Sequence, residues 1–139
     1  MTLSFSKARQ LKKAPKKAVK KVKKSTLRNK ADSLFSKYIR SGGICLAQGS
    51  FIKCGGSLSC AHIMTRGIIA LRYEPQNAIA LCMGHHRWFH QNPYEWVKFI
   101  EGKFPGRYEK LIQQKTYKVK KTEDLYRAVI ARYSKEEKV

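Results

Sequence analysis

All four cysteines and all four histidines of this 139-residue chain lie between positions 45 and 90. No other feature restricts the fold as tightly, because thiol and imidazole donors gathered in one segment can be joined to each other or to a metal. Cys82-x2-His85 matches the second half of a zinc knuckle, in which a turn brings two donors to one ion. Cys45 and Cys54 supply the first half. Gly55-Gly56 follows Cys54, and glycines there let the backbone turn its amides toward thiolate sulfur. Three sulfurs and one nitrogen make a closed, tetrahedral structural site. The gap between Cys45 and Cys54 is longer than the usual spacing of about two to four residues. Cys60 is therefore a fifth candidate, able to replace Cys45, to approach a second metal or to be a plain buried thiol. Disulfides are the competing reading, and an exported chain would favour them. A staple has a physical motive here, since a body this small with a loop-rich middle gains only a narrow margin from its apolar core.

Thirty Lys and Arg face nine Asp and Glu, a formal net charge of +21. Charge this far from neutral favours a polyanion as partner. Residues 1–30 carry much of the excess and contain no acid. Lys12, Lys13, Lys16, Lys17, Lys20 and Lys21 stand there among few apolar groups. The segment is expected to be disordered alone and to order on nucleic acid, adding affinity that falls steeply with salt. The plainer alternative is a solvated or localisation tail. No apolar run is long enough to cross a membrane, and no apolar stretch follows the basic start as in a secretory signal. A cytoplasmic location is expected. No period of 20–50 residues recurs.

The remaining residues, 31–139, read as one α+β domain with a core at 42–92 and helices over 93–134. Ala31, Leu34, Phe35, Tyr38 and Ile39 recur at helical spacing, and Gly42-Gly43 ends that helix. Strands at Ser59–Ile63 and Ile68–Leu71 are expected to form a hairpin around Met64–Gly67. A short helix starts near Cys82–Met83 and ends by Gln91, before Asn92-Pro93. Asn92, Pro93 and Glu95 form a capping box for the next helix, with Trp96, Val97 and Ile100 as its buried stripe and Gly102 and Pro105 as its end. Further helices cover Gly106–Lys115 and Glu123–Tyr133, the last capped by Thr122 and carrying Leu125, Tyr126, Val129, Ile130 and Tyr133 on one side.

His86 and His90, four apart, project from one face of the short helix, and two imidazoles so placed can hold a divalent ion. Alone, the pair is as well read as ordinary exposed histidines flanked by the core aromatics Trp88 and Phe89. The wider spacing His62-x14-Asn77-x8-His86-x3-His90 resembles the signature of HNH nucleases. That resemblance covers roughly residues 42–92 and implies the ββα-metal fold. Phe35-x3-Ile39-Arg40, Ala61-His62, Leu71-Arg72-Tyr73 before Asn77, the Tyr/Trp-rich trailing helix and the Lys-rich start are similar to phage recombination proteins of the NinG/Rap type. The resemblance implies a metal-dependent DNA endonuclease acting on branched recombination intermediates. His62 would be the general base, Asn77 the residue that holds its loop, and His86 and His90 the ligands of a catalytic divalent ion. Cys45, Cys54, Cys82 and His85 would hold structural zinc, with His85 where a fourth Cys is usual. Ala61 departs from the family, which usually has a metal-ligating Asp or His directly before the base.

Phosphodiester hydrolysis suits these residue types. A neutral imidazole can take a proton from water, and a helix-held cation can neutralise charge at phosphorus. His ligands admit Mn, Ni, Co or Zn, and Mg is allowed when phosphate and water supply oxygens. Arg66, Arg72 and Arg87 are expected to position DNA through its phosphates, the alternative for Arg66 and Arg87 being a solvated surface and for Arg72 pairing with Glu74 or structural packing. No base-reading module is apparent, so selectivity for DNA shape is expected over selectivity for sequence. A different class of function, a non-catalytic zinc-containing DNA- or RNA-binding protein on a decayed HNH scaffold, is favoured by Ala61 and the large charge. The intact histidines oppose it. A ribosome-associated basic protein would explain only the tail.

Overall fold

The computed structural model describes residues 20–136. It is α+β, with one two-stranded sheet and, among the described residues, six α-helices. The chain runs α1 (Lys24–Arg40), β1 (Leu58–His62), α2 (Ile69–Arg72), a 3-10 turn (Pro75–Asn77), β2 (Ala78–Cys82), α3 (Met83–Gln91), α4 (Pro93–Lys103), α5 (Arg107–Gln114) and α6 (Glu123–Glu136). No helix among the described residues is long and apolar enough to cross a membrane.

The sheet separates two apolar cores. β1 and β2 pair antiparallel, with Ser59 opposite Leu81, Ala61 opposite Ile79 and His62 opposite Ala78. Because strand side chains alternate, β2 sends Ile79 and Leu81 to one face and Ala78 to the other. The first face packs with Ala61, Phe89, Phe99, Ile100 and Leu111, so α3, α4 and α5 cover it. The second face meets Leu27, Phe35, Tyr126, Val129 and Tyr133, so α1 and α6 cover it. The free edge of β2 is covered by the Cys45 loop, where the Leu46 amide donates to the Ala80 carbonyl at 3.0 Å. β1 keeps its outer edge open. The site lies along that edge.

Several sequence expectations change. The second strand is not Ile68–Leu71. That run forms α2, and the strand partner of β1 is Ala78–Cys82, buried along its whole length. Short apolar runs do not distinguish strand from helix by periodicity, and the tertiary context decides. α1 begins at Lys24, so residues 24–30, read as tail, are helical, and Leu27 is buried against α6. Lys20 and Lys21 precede α1 and are exposed, whereas Lys12, Lys13, Lys16 and Lys17 lie outside the described residues. The capping box at Asn92 does not form. Its Nδ2 donates back to the Trp88 carbonyl at 2.8 Å and closes α3 rather than opening α4. Val97 is exposed, and Phe99 takes its place in the core. α4 continues through Gly102 to Lys103. Thr122 does cap α6, its hydroxyl accepting from the Leu125 amide at 3.2 Å.

Candidate metal centre and adjoining groove

Cys45, Cys54, Cys82 and His85 converge. Their donor atoms all lie within 4.8 Å of one another. The His85 Nδ1 stands 3.5 Å from Cys45 Sγ, 3.6 Å from Cys54 Sγ and 3.2 Å from Cys82 Sγ. Tetrahedral zinc with ordinary bond lengths sets nitrogen about 3.6 Å from each sulfur, close to these three distances. The His85 Nε2–H donates to the Ser50 carbonyl at 2.7 Å, which turns Nδ1 toward the sulfurs. His85 is fully buried, a position an imidazole accepts when both ring nitrogens have partners.

Local sequence builds this arrangement. Gly56 has φ +79°, a left-handed conformation that glycine accepts without strain. A Cβ on Gly84 would come within 3.3 Å of the Gly55 carbonyl oxygen, whose acceptance of the Gly84 amide at 2.9 Å locks the two halves of the knuckle together. Burial pushes the Cys82 thiol up, but the His85 and Gly55 amides facing its sulfur outweigh that and bring it down to about 6. Burial and the neighbouring sulfurs of Cys45 and Cys82 push Cys54 up to about 11. Three sulfurs this close cannot all be thiolates without a cation among them, and the cluster could hold one such ion, for example zinc. Cys60 is not part of this group. It lies on β1, packed against the α1–α6 core.

The groove opens along the free edge of β1, with a volume of about 830 Å³. Leu58, Ser59, Cys60 and His62 form its floor. Asp32, Phe35, Ser36 and Arg40 of α1 line one wall, and His86 and His90 of α3 line the other, with Pro93 and Trp96 beside them. Thr65, Arg66 and Arg72 enter from the loop between the strands. His62, His86 and His90 thus share one groove. They also line a small adjoining cavity of about 50 Å³ next to Ala61.

Each histidine is oriented by a specific partner. The His62 Nε2–H donates to the Arg72 carbonyl at 3.1 Å, which leaves Nδ1 as the ring's open acceptor. Burial lowers the His62 pKa below its ordinary value, with Arg66 and Arg72 acting the same way and the Arg72 carbonyl opposing them. The ring is therefore neutral near pH 7. The Ser59 hydroxyl donates to the Leu81 carbonyl at 2.8 Å, and its only proton is then used. It can only accept from His86 Nδ1, 2.8 Å away, so His86 keeps Nε2 unprotonated. Burial also lowers the His86 pKa, helped by His90 and His62. His90 is exposed, its ring stacked on His86 at 4.9 Å between centroids.

Asn77 holds the loop that carries His62. It is fully buried, accepts from the Met64 amide at 2.8 Å, and donates to the Met64 and Leu71 carbonyls at 3.0 and 3.1 Å. Arg72 is not free for phosphate, and its partner is not Glu74. Its guanidinium grips Asp32 of α1 with two bonds, 2.9 and 2.6 Å long, and Tyr73 adds a third to the same carboxylate at 2.8 Å. Burial raises the Asp32 carboxyl, and these donors outweigh it, holding it below the usual carboxylate range. Arg66 is exposed at the groove mouth, whereas Arg87 is exposed on α3 and does not line the groove. Ala61 is buried in the α3-side core and offers no donor.

Sequence reasoning missed Ser59, Asp32 and Arg40. Alternation along β1 puts Ser59 and His62 on opposite faces, and nothing in the chain pairs Asp32 with an arginine forty positions on. Replacing Asp32 with Ala leaves the Tyr73 hydroxyl unpaired and a largely buried guanidinium with only the Arg66 carbonyl. The expected loss of stability is about 2 kcal/mol, between the limits for exposed and fully buried pairs. A lower urea midpoint at unchanged slope reports it; an unchanged midpoint would mean that solvent replaces the pair at no cost.

No family model, curated protein or solved structure matches the chain.

Proposed function

We propose that this chain is a metal-dependent DNA endonuclease of the HNH type, stapled by structural zinc and acting on branched or otherwise structured DNA. One observation carries the reading: a neutral His62, with Nε2–H committed to the Arg72 carbonyl, shares a groove with His86, whose Nε2 is left unprotonated, and with His90. Binding alone needs no such pair of oriented tautomers. The donor set fits a divalent ion, since both α3 histidines lie on one face and Ser59 holds His86 in the tautomer that ligation requires. When bound there, Mg, Mn or another transition metal supplies Lewis-acid stabilisation of charge on the phosphate oxygens.

The protein's own part follows from its residues. His62 Nδ1 accepts a proton from the attacking water. The Arg72 carbonyl steadies the ring as it becomes cationic, because the Nε2–H bond strengthens with that charge. Asn77 keeps the Met64 and Leu71 carbonyls fixed, so the loop that presents Arg72 does not drift.

Incubating the chain with supercoiled plasmid and with a four-way junction, in Mg or Mn, tests the reading. Nicked or linear products that depend on the added metal, and that disappear in His86→Ala, are expected. Buried Ala61 favours a second reading, because the strand residue beside His62 brings no ligand. The chain would then be a zinc-containing DNA- or RNA-binding protein on an HNH scaffold. Tight binding with no cleavage in any metal would establish that reading and end the first.

A further inference from the structure

The α1 and loop side of the groove carries charge that hydrolysis does not use. Arg40, at the last turn of α1, spends its Nε on Ser36, donating to the carbonyl at 3.2 Å and to the hydroxyl at 3.1 Å. This fixes the plane of the guanidinium and leaves its two terminal amino groups with no carboxylate among the described residues. Arg66, in the loop after β1, offers its backbone carbonyl to Arg72 and has its guanidinium exposed at the same mouth. The one carboxylate lining the groove, Asp32, is already saturated by Arg72 and Tyr73. Counting Arg40, Arg66 and Arg72 against Asp32, this side keeps two positive charges in excess. Both arginines line the same groove, and both oppose the rise to about 11 that burial gives the Cys60 thiol. The hydroxyls of Ser36 and Thr65 line the same mouth.

We propose that Arg40 and Arg66 form a phosphate subsite that seats a backbone phosphate of the nucleic-acid strand next to the one facing His62, His86 and His90. The subsite rests on the nuclease reading for its purpose, but not for its chemistry. Two forked donors from separate elements, α1 and the His62 loop, fit the two non-bridging oxygens of a singly charged phosphodiester better than a single lysine would. The groove's volume of about 830 Å³ is far more than a small ion needs and leaves room for a stretch of strand. Holding the phosphate next to the one that faces His62 would fix the strand's register without reading its bases.

Binding of a fluorescent junction oligonucleotide to the zinc-loaded full chain, with no other divalent ion added, isolates this step from cleavage. Arg40→Gln and Arg66→Gln are each expected to weaken binding about tenfold and to reduce the salt slope by about one. Arg127→Gln removes the same charge from exposed α6 and should do neither. A single neutral methylphosphonate walked along the strand should weaken wild-type binding at one position beside the cleaved bond, and that position should go silent in the Arg40→Gln/Arg66→Gln double variant. Thermal melts of the variants matching wild type exclude misfolding. Unchanged affinity and slope, a loss equal to that of Arg127→Gln, or a methylphosphonate penalty that survives in the double variant would each overturn the subsite. Inorganic phosphate competing as strongly as the oligonucleotide would also overturn it, in favour of a free-phosphate site. If binding behaves as expected and wild type cuts no DNA, the nuclease reading fails and the subsite stands. If wild type cuts and the arginine variants bind normally, the reverse holds.

Discussion

Stripping the metal, such as zinc, that Cys45, Cys54, Cys82 and His85 could hold is expected to unfold the knuckle, from the Cys45 loop through α3, and to abolish any DNA cleavage with it. Cys45, Cys82 and His85 are buried and only Cys54 faces solvent, so little water is at hand to replace a lost ion. The ligated cluster contributes on the order of 10 kcal/mol to ordering the segment, a value comparable with the whole stability of a domain. The loss would not stay local. The first turn of α3 hangs on the knuckle through Gly84 N–H to the Gly55 carbonyl and Met83 N–H to the Ser57 carbonyl, both 2.9 Å. His86 and His90 follow directly on that turn. Circular dichroism melts with and without chelator, and after zinc is restored, measure the effect; Cys82→Ser should reproduce it. Acid should act in the same direction, since ligation needs deprotonated thiols. A melt indifferent to chelator would remove the metal from the account of the fold.

His62→Ala is expected to lower the cleavage rate by about a hundred- to ten-thousandfold, the range associated with loss of a general base, while affinity for DNA stays close to wild type. The pH dependence has a definite sign. Burial, with Arg66 and Arg72, depresses the His62 pKa below 6.5, and in the proposed mechanism the neutral ring is the form that acts. The wild-type rate should rise as pH climbs through that depressed value and be flat above 6.5, and the variant should lack this acid limb. The same shift acts on stability. A histidine whose folded pKa is lowered contributes stabilisation that is present above its unfolded value of 6.5 and is lost as pH falls through the folded one. A rate unchanged by the substitution, or an acid limb centred above 6.5, would remove His62 from the role of base.

The parts of the site readable from sequence are those in which donors are close along the chain or carry a spacing. Cys82 and His85 sit on one turn, and His86 and His90 on one helical face, so local periodicity places them. The eight-residue gap after Cys45 looked too long for a knuckle. It is accommodated because the intervening loop pairs with β2 through Leu46 and supplies the Ser50 carbonyl to His85. The hairpin was misread for an identifiable reason. Ile68–Leu71 and Ala78–Cys82 are both short apolar runs, and only the second is buried on both faces, between two cores that exist only after folding. Likewise Leu27 gave no sign of belonging to the domain until α6 arrived to cover it.

Residue types and their spacing, on their own, determined the donor inventory: which sulfurs and imidazoles are available, that the excess charge seeks a polyanion, and that one short helix carries two histidines on one side. The tertiary structure alone decided which groups are spent and which are open. Arg72 is consumed by Asp32, Ser59 selects the tautomer of His86, and Arg40 spends its Nε on Ser36 while lining the same groove as Arg66. The reason is geometric. A local pattern is set by bonds a few residues long, whereas hydrogen-bond saturation is set by whatever packing brings to within about 3 Å, and that distance bears no relation to separation along the chain.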